Sequence, residues 1–563
     1  MNIEIKSTSY LIPNNSSWES LHKDNKLKFA EYNNIFNNTK YNQKTECEIF
    51  VLFLKDIIDY YKVLKSINKN EIKKIKLIIN FIEKKISTYK KKIFIISISS
   101  YYYFNHLNSS KNKPFEKETE IYFYKELYKL SKMYSNLYIL NIDDLFSFHG
   151  HKNCFDERNY SLFRCRLSVF GLKLLSDKLS EIILRINITN KKVLLLDCDN
   201  TLWGGVVGED EIEKIKLGQD GIGLAFLEFQ KSIKKLQESG IILGLVSKNN
   251  HKDVINVLEK HKSMILKKKD ISIFKINWNQ KSQNIRQISK DLFLGLDSFV
   301  FWDDNPIERN KIRNEIKEVD VIEPEKDVSY WSKQLLEYNG FSKFEITKED
   351  YAKTKQYKSR SVFIEKKESS KSEISYLKKI KIKAELKNIG TDSIDRASQL
   401  SQKTNQFNFS TKRYKIADIK NLKKTHLCFL AKLSDIYGDH GFVSLIILKK
   451  YKKILYVDSF LMSCRIMGRY LENWLLDQIK KVAIKNNIKN IFFEFIPNKK
   501  NKELVTNFIK FNNLTKIKKK DLYKIEKKLN LNSNKYTEYY VINIKQKIKN
   551  LEIYGKKNKV RKN

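Results

Sequence analysis

The chain lacks the features that define several protein classes. Its six cysteines (Cys47, Cys154, Cys165, Cys198, Cys428 and Cys464) are scattered, with no C-x-x-C pairing. That excludes a zinc ribbon or a disulfide scaffold and predicts a reducing, cytoplasmic setting. No uninterrupted apolar run approaches the roughly 18 residues of a membrane span. The opening MNIEIKSTSYLIPNNSS has no basic-then-apolar signal pattern, so a soluble protein without a membrane partner is expected. There is no internal repeat. No Gly-Asp-Ser or Gly-x-Ser-x-Gly turn marks a serine nucleophile in the first 188 residues.

What is abundant is positive charge. The formal net charge is +43 over 563 residues, but the lysines are spread among asparagines and isoleucines along the whole chain. That mix follows from AT-rich codons and reads as solvated lysine faces, so no nucleic-acid partner is expected. The surplus would still draw anionic substrates and acidic carrier proteins. A hydrophobic fraction of 41% is enough for real cores, and the length fits about three or four domains.

The chemistry concentrates in KVLLLDCDNTLWGGVVG, residues Lys192–Gly208. The apolar run Val193–Leu196 reads as a fully buried parallel strand ending in two carboxylates, Asp197 and Asp199, with Thr201 close behind. In an open α/β sheet, chemistry sits beyond the carboxyl ends of such strands. Three further strands follow, separated by helical stretches. Ile241–Val246 ends at Ser247 and Asn249, and either Asn249 or Asn250 can cap the next helix. Ile273–Ile276 is followed by Lys281 at a helix start. Ser298–Trp302 ends in Asp303 and Asp304, with Pro306 suited to a first helical turn. Strand–helix alternation predicts a doubly wound parallel sheet that gathers these residues on one edge.

A carboxylate attacking phosphorus forms an aspartyl phosphate, and hard oxygen ligands suit Mg²⁺. A lysine and a hydroxyl would neutralise the transferred phosphoryl group. The order D-x-D-x-T, Ser, Lys, acidic pair resembles the haloacid dehalogenase (HAD) phosphotransferase superfamily. By that resemblance Asp197 is the nucleophile and Asp199 the general acid/base. Ser247 and Lys281 hold the phosphoryl group, Thr201 and Asn249 contribute to binding, and Asp197, Asp199, Asp303 and Asp304 serve the metal.

Longer stretches narrow the resemblance. DCDNTLWGGVVGED, VSKNN, FWDDNPIE, QLSQKTNQFNFSTKRY, SDIYGDHGFVS, SFLMSCRIMGRYLE and PNKKN resemble the FkbH-like proteins of polyketide pathways, over residues of about 140 to 515. That family is described as loading a glyceryl unit from 1,3-bisphosphoglycerate onto an acyl carrier protein, with loss of phosphate. The resemblance implies an N-terminal SGNH-hydrolase-like α/β layer domain over 1–188, here divergent, without a nucleophile-bearing opening strand and read as non-catalytic. It implies a Rossmann-like HAD domain over 189–345, a GNAT-like α+β acyltransferase domain over 346–545, and a basic tail over 546–563 whose end, Lys556–Asn563, is expected to be disordered.

In the C-terminal part, Ser463–Arg469 lies between a strand and a helix. Backbone N–H groups there, with Arg465 and Arg469, would receive a phosphate. This resembles the GNAT loop that binds the phosphopantetheine arm of CoA or a carrier, with Gly468 in its glycine position and Tyr470 where a small residue is usual. Cys464 is the candidate for a transient acyl thioester or, equally, a structural cysteine. Its rival Cys198 is flanked by two aspartates that disfavour a thiolate. His149, His151 and Cys154 lack a fourth ligand and read as a loop, and His440 reads as a turn position. Two other readings remain: a stand-alone Mg²⁺-dependent phosphatase of a small metabolite, and a decayed binding scaffold.

Overall fold

The computed structural model describes residues 1–12, 14, 16–31, 35, 44–58, 69–89, 92–100, 115–187, 190–207, 212–344, 346, 348–370, 372–451, 453–517, 537–546 and 553–554. Gly208–Asp210 of the first motif and most of the basic tail, Lys556–Asn563 included, fall outside them. The chain divides into two compact units, Met1–Ile188 and Thr189–Asn563. Among the described residues no helix is long and apolar enough to cross a membrane.

The first unit is built on a five-stranded parallel sheet of order β2-β1-β3-β4-β5. Its strands are β1 (Asn2–Ser7), β2 (Lys26–Phe29), β3 (Cys47–Phe53), β4 (Ile93–Ser99) and β5 (Leu137–Asn141). Period-two alternation sends Ile49 and Val51 into one core with the helix Val169–Asn187, and Phe50 and Leu52 into another with Lys69–Thr88. β1 is an opening strand that the sequence pattern did not mark. Its Glu4 and Lys6 look solvated in the sequence, yet both are buried. Lys6 Nζ lies 3.5 Å from carboxylate oxygens of Glu4 and Glu48, and Lys92 Nζ lies 2.7 Å from Glu48. Charges can enter a sheet this way only when paired. Just beyond β1, the Ser9 hydroxyl donates to the Arg164 carbonyl at 2.7 Å and accepts the Arg166 N–H at 3.1 Å. It is spent on the backbone.

The second unit carries two sheets. The first is parallel, of order β10-β9-β6-β7-β8. Its strands are β6 (Val193–Leu196), β7 (Ile242–Ser247), β8 (Ile273–Ile276), β9 (Phe299–Trp302) and β10 (Asp320–Val321). All four residues of β6 are fully buried, worth about 1.5–3 kcal/mol for each large side chain. Helices Gly221–Glu238, His251–Lys260, Lys281–Leu292 and Pro306–Glu315 follow their strands, so their first turns crowd the carboxyl edge. Gly240 closes the first of them at φ +88°, as its position in the sequence predicts.

The other sheet is mixed, of order β11-β13-β14-β15-β16-β18-β17, with β12 paired to β15. Its strands are β11 (Lys383–Asn388), β12 (Phe407–Asn408), β13 (Leu427–Asp435), β14 (Gly438–Tyr451), β15 (Ile454–Met462), β16 (Asn490–Phe495), β17 (Thr515–Lys516) and β18 (Glu538–Asn543). β15 and β16 run parallel only from Ile454/Asn490 to Val457/Phe493 and then separate. The segment Phe407–Phe409 enters the gap. Phe409 N–H donates to the Phe460 carbonyl at 3.1 Å, and Ile496 N–H donates to the Phe409 carbonyl at 2.8 Å.

The expected α/β class with parallel layers and an α+β C-terminal part is the one adopted. The helix Lys348–Glu368 belongs to both layers of the second unit: Tyr357 packs into the core under β6, and Phe363 and Ile364 into the core of the mixed sheet. Arg360, fully buried, donates to the carbonyls of Asp291, Arg465 and Met467 at 2.9–3.1 Å.

Candidate active site

The site forms where the parallel sheet of the second unit ends. Pairing of Leu196 with Trp302 places Asp197 beside Asp303, and Asp197 N–H donates to the Trp302 carbonyl at 3.1 Å. Pairing of Leu196 with Leu245 brings Ser247 level with Cys198, whose thiol it touches. Lys281, first residue of its helix, reaches back between the carboxylates: Nζ is 2.9 Å from Asp197 Oδ1 and 2.6 Å from Asp303 Oδ2. Burial works against its charge, but Asp197 and Asp303 outweigh burial and raise its pKa. Asp197, Ser247, Lys281, Asp303, Asp304 and Thr201 are thus brought together on one edge.

Carboxylate oxygens of Asp197, Asp303 and Asp304 lie within 4.8 Å of one another, the one such group among the described residues. His149, His151 and Cys154 form none. Three carboxylates against one ammonium leave net negative charge in a buried place, and a hard divalent cation fits that donor set. Burial first, and the neighbouring Asp197 next, push the Asp303 carboxyl up to about 6, with Lys281 opposing. Asp304 is raised for the same two reasons. Thr201 orders Asp304: its hydroxyl donates to Oδ1 at 3.2 Å and accepts the Asp304 N–H at 3.3 Å.

The Asp199 side chain stands apart from that carboxylate group. Its Oδ1 accepts the Trp203 indole N–H at 3.0 Å and the Val207 N–H at 3.1 Å, and its Oδ2 accepts Asn249 Nδ2 at 2.8 Å. Burial raises its pKa in spite of those donors, which suits a proton donor. Asn249 therefore orients the Asp199 carboxyl group. Asn250 takes the helix N-cap position without a side-chain cap bond, because its Oδ1 accepts the Trp278 indole N–H at 3.3 Å.

Sequence reasoning missed Arg309. Its Nη1 donates to the carbonyls of Asp303 at 2.8 Å and Asp304 at 2.6 Å, which fixes the acidic loop from the helix that follows it. An arginine one helical turn beyond an acidic pair was the available signal.

The C-terminal candidates are arranged differently from the expectation. Arg465 and Arg469 are buried and point inward. Arg465 donates to Gln356 Oε1 at 2.6 Å and to the His440 carbonyl at 2.8 Å. Arg469 Nε donates to Asp435 Oδ2 at 2.7 Å, with its guanidinium 3.9 Å from the Phe363 ring centroid. The reason is Asp435, a fully buried carboxylate that needs a cation, with His440 Nε2 at 3.1 Å as second partner. Gly468 is required by its backbone, at φ +86°. Cys464 is half-buried, packs against the cores of both layers and has the Tyr357 hydroxyl 3.6 Å from Sγ. Its loop is tied through Arg360 to Asp291, ten residues and about 15 Å along the helix from Lys281. The structure does not bring Cys464 to the carboxylates. Cys198, fully buried beside Asp197, has its thiol pKa pushed far up by burial first and that charge second.

Asp303 gives a pH prediction for the metal-free protein. Its folded pKa of about 6 lies above the ordinary value of 3.8, so the native state keeps a proton that the unfolded chain releases in that window. Its contribution to stability therefore falls as pH rises from about 4 to about 6. In EDTA, the stability of Asp303→Asn relative to wild type is expected to improve between pH 4.5 and 7. Urea unfolding at the two pH values measures it, and a gap that moves the other way refutes the assignment.

The edge gathers a buried carboxylate cluster around a lysine, a donor set that fits a divalent cation. No protein-family model matches the chain, and neither does any curated protein. Among solved structures it is similar to the N-terminal part of the protein BF1531 from Bacteroides fragilis, containing a phosphatase domain and complexed with Mg: 28% identity over 61% of this chain and 94% of that one, TM-score 0.50. Smaller likenesses are to an acetyltransferase of the GNAT family from Staphylococcus aureus (14% identity, 29% of this chain and 99% of that one, TM-score 0.22) and to Ard1 from Thermoplasma volcanium (13%, 28% and 97%, TM-score 0.21).

Proposed function

We propose that the chain is a Mg²⁺-dependent phosphatase joined to acyl transfer, which loads a glyceryl unit from 1,3-bisphosphoglycerate onto the thiol of an acyl carrier protein in the manner of FkbH-like proteins. The observation that carries the phosphatase part is the Asp197–Asp303–Asp304 cluster with Lys281 inside it. The likeness to a Mg-bound phosphatase domain supports it, and the long motifs support the narrower assignment. Mg²⁺, held by Asp197, Asp303 and Asp304, would neutralise phosphoryl oxygens and orient the phosphate.

Asp197 attacks phosphorus, the P–O bond to the leaving group breaks, and Asp199 gives its proton to the departing oxygen. Asp199, now ionised, takes a proton from water as that water attacks the aspartyl phosphate, which frees inorganic phosphate and restores Asp197. Lys281 and Ser247 hold the phosphoryl oxygens, and Asn249 keeps Asp199 in line. In the acyl half, a thiol attacks the carbonyl carbon of the acyl phosphate, loses its proton and displaces phosphate. That thiol is the carrier's pantetheine or Cys464. Cys464 is not among the groups of the carboxylate cluster, which favours the mobile arm.

The inward arginines and half-buried Cys464 are what favour the second reading, a stand-alone phosphatase. Intact-protein mass spectrometry separates the two. Enzyme, Mg²⁺, fresh 1,3-bisphosphoglycerate and a pantetheinylated carrier are expected to give a glyceryl carrier, and a phosphoglyceryl carrier with Asp197→Asn. Loss of both adducts in Cys464→Ser would assign the thioester to Cys464. Phosphate release with carriers left unmodified would establish the stand-alone phosphatase.

A further inference from the structure

The helix Lys348–Glu368, which serves both layers of the second unit, starts in a crowd of amines. Asp350, in its first turn, is fully buried against Gly240, where a Cβ would lie 2.7 Å from the Asp350 carbonyl oxygen. Asp350 Oδ1 has Lys353 Nζ at 2.5 Å and Lys343 Nζ at 3.4 Å, and its Oδ2 has Lys403 Nζ at 3.4 Å. Lys343 follows the short turn Asn339–Phe341 and also donates to the Ser239 carbonyl, whereas Lys403 ends the helix Ile394–Lys403. The side chains of Lys343 and Lys353 are only 12% and 24% exposed, and that of Lys403 is 48% exposed. Among the described residues none of the three is ion-paired to a second carboxylate. The lysine cluster of the first unit differs on this point. There Lys6, Lys85 and Lys92 surround Glu48, but Glu4 is a second carboxylate, 3.5 Å from Lys6 Nζ.

Three ammoniums about one carboxylate leave two positive charges in surplus, and Lys343 and Lys353 share a single oxygen. Like charges so placed, largely out of water, favour release of a proton from one of them. Burial first and Lys343 next pull the Lys353 ammonium down to about 7, with Asp350 opposing and Lys403 adding to the pull. A desolvated amine beside other cations is a nucleophile at neutral pH. The cluster therefore holds an available amine and, next to it, cations that lack an anion. We propose that Lys353 is a modification site for carbon dioxide, which it takes up as a carbamate. The Nζ lone pair attacks the carbon of CO2, the N–C bond forms, one C=O electron pair passes to oxygen, and an Nζ proton leaves to solvent. The product is an anion, so that Asp350 and the carbamate together balance Lys343 and Lys403. Buried charges are stable only when paired, and the modification completes the pairing. It also ties the shared helix to Lys343 on one side and Lys403 on the other. The inference is independent of the phosphatase reading above.

The test keeps dissolved CO2 constant in EDTA at about pH 7.5, traps carbamates on the full chain with triethyloxonium, and locates them by peptide mass spectrometry. Lys353 is expected to carry at least about ten times the adduct of the median lysine, the effect of a single pKa unit on the available amine. Lys403→Met alters a half-exposed side chain and should leave the fold intact. It should lower the Lys353 adduct about tenfold, because it strengthens the amine's hold on its proton and removes a counter-ion of the carbamate. CO2 should raise the melting temperature of the wild type above that in chloride of equal ionic strength, and should leave Lys353→Met unchanged. An adduct on Lys353 no greater than on the median lysine of the folded protein overturns the inference. A bicarbonate-dependent rise in melting temperature with no trapped adduct marks a bound anion instead, and overturns it equally.

Discussion

Asp197→Asn is expected to lose at least about 10⁴-fold in phosphate release, because an amide cannot form the aspartyl phosphate and nothing else at the edge replaces it. The same variant is expected to fold at least as well as the wild type when metal is absent. Three carboxylates surround one ammonium there, and the charge of Asp197 is the second cause, after burial, of the raised Asp303 pKa. Removing that charge relieves the repulsion while leaving volume and shape almost unchanged. Steady-state kinetics with Mg²⁺, and thermal melts in EDTA, check the two halves separately. A variant that keeps a hundredth of the wild-type rate would remove Asp197 from the nucleophile's role. A large drop in melting temperature would show that its charge is needed by Lys281 more than it strains Asp303.

Lys281→Met should have the opposite balance, with stability and activity both lost. Its ammonium is buried and bridges Asp197 and Asp303 at 2.9 and 2.6 Å. Removing it leaves buried carboxylates without a cation, a change that costs about 3–5 kcal/mol in comparable pairs. The loss should depend on pH in a known direction. Without Lys281 the carboxyl of Asp303 is raised still further, so it protonates more readily, and the variant recovers part of its stability at pH 5 relative to pH 8. Urea unfolding in EDTA at those two values reads this directly. Phosphate release should fall by about 10²–10³-fold even where the variant is fully folded, since the phosphoryl oxygens lose their fixed cation. An equal destabilisation at both pH values would mean that the ion pair is not what Lys281 contributes.

Several parts of the site were legible in sequence because each lies where a short local signal changes. Val193–Leu196 is an unbroken apolar run, and Asp197 is the residue at which it stops. Ser247, Lys281 and Asp303 follow their own runs in the same way. Since parallel strands present their carboxyl ends on one edge, the order of such endings is already a statement about proximity. β1 was hidden for the converse reason: Glu4 and Lys6 give it a solvated pattern, and only their pairing with Glu48 and each other makes burial possible.

Side-chain direction was beyond reach of the sequence. An arginine in a turn after a strand, such as Arg465 or Arg469, has the same local signature whether it meets a phosphate or a buried carboxylate. Asp435, 34 residues before Arg469, decides which. Likewise Asp199 looks like a ligand beside Asp197, but Trp203, Val207 and Asn249 hold its oxygens elsewhere.

By itself, then, the amino-acid sequence determined the layered α/β class, the strands that end in functional groups and the edge on which those groups collect, because buried runs and the residues that end them are local properties. Tertiary structure alone decided which carboxylates share a cation, which arginines are spent on the interior, that the helix Lys348–Glu368 serves two cores and that Phe407–Phe409 fills the gap between β15 and β16. Those outcomes depend on charge pairing and packing between segments tens to hundreds of residues apart, and no local pattern encodes a partner at that distance.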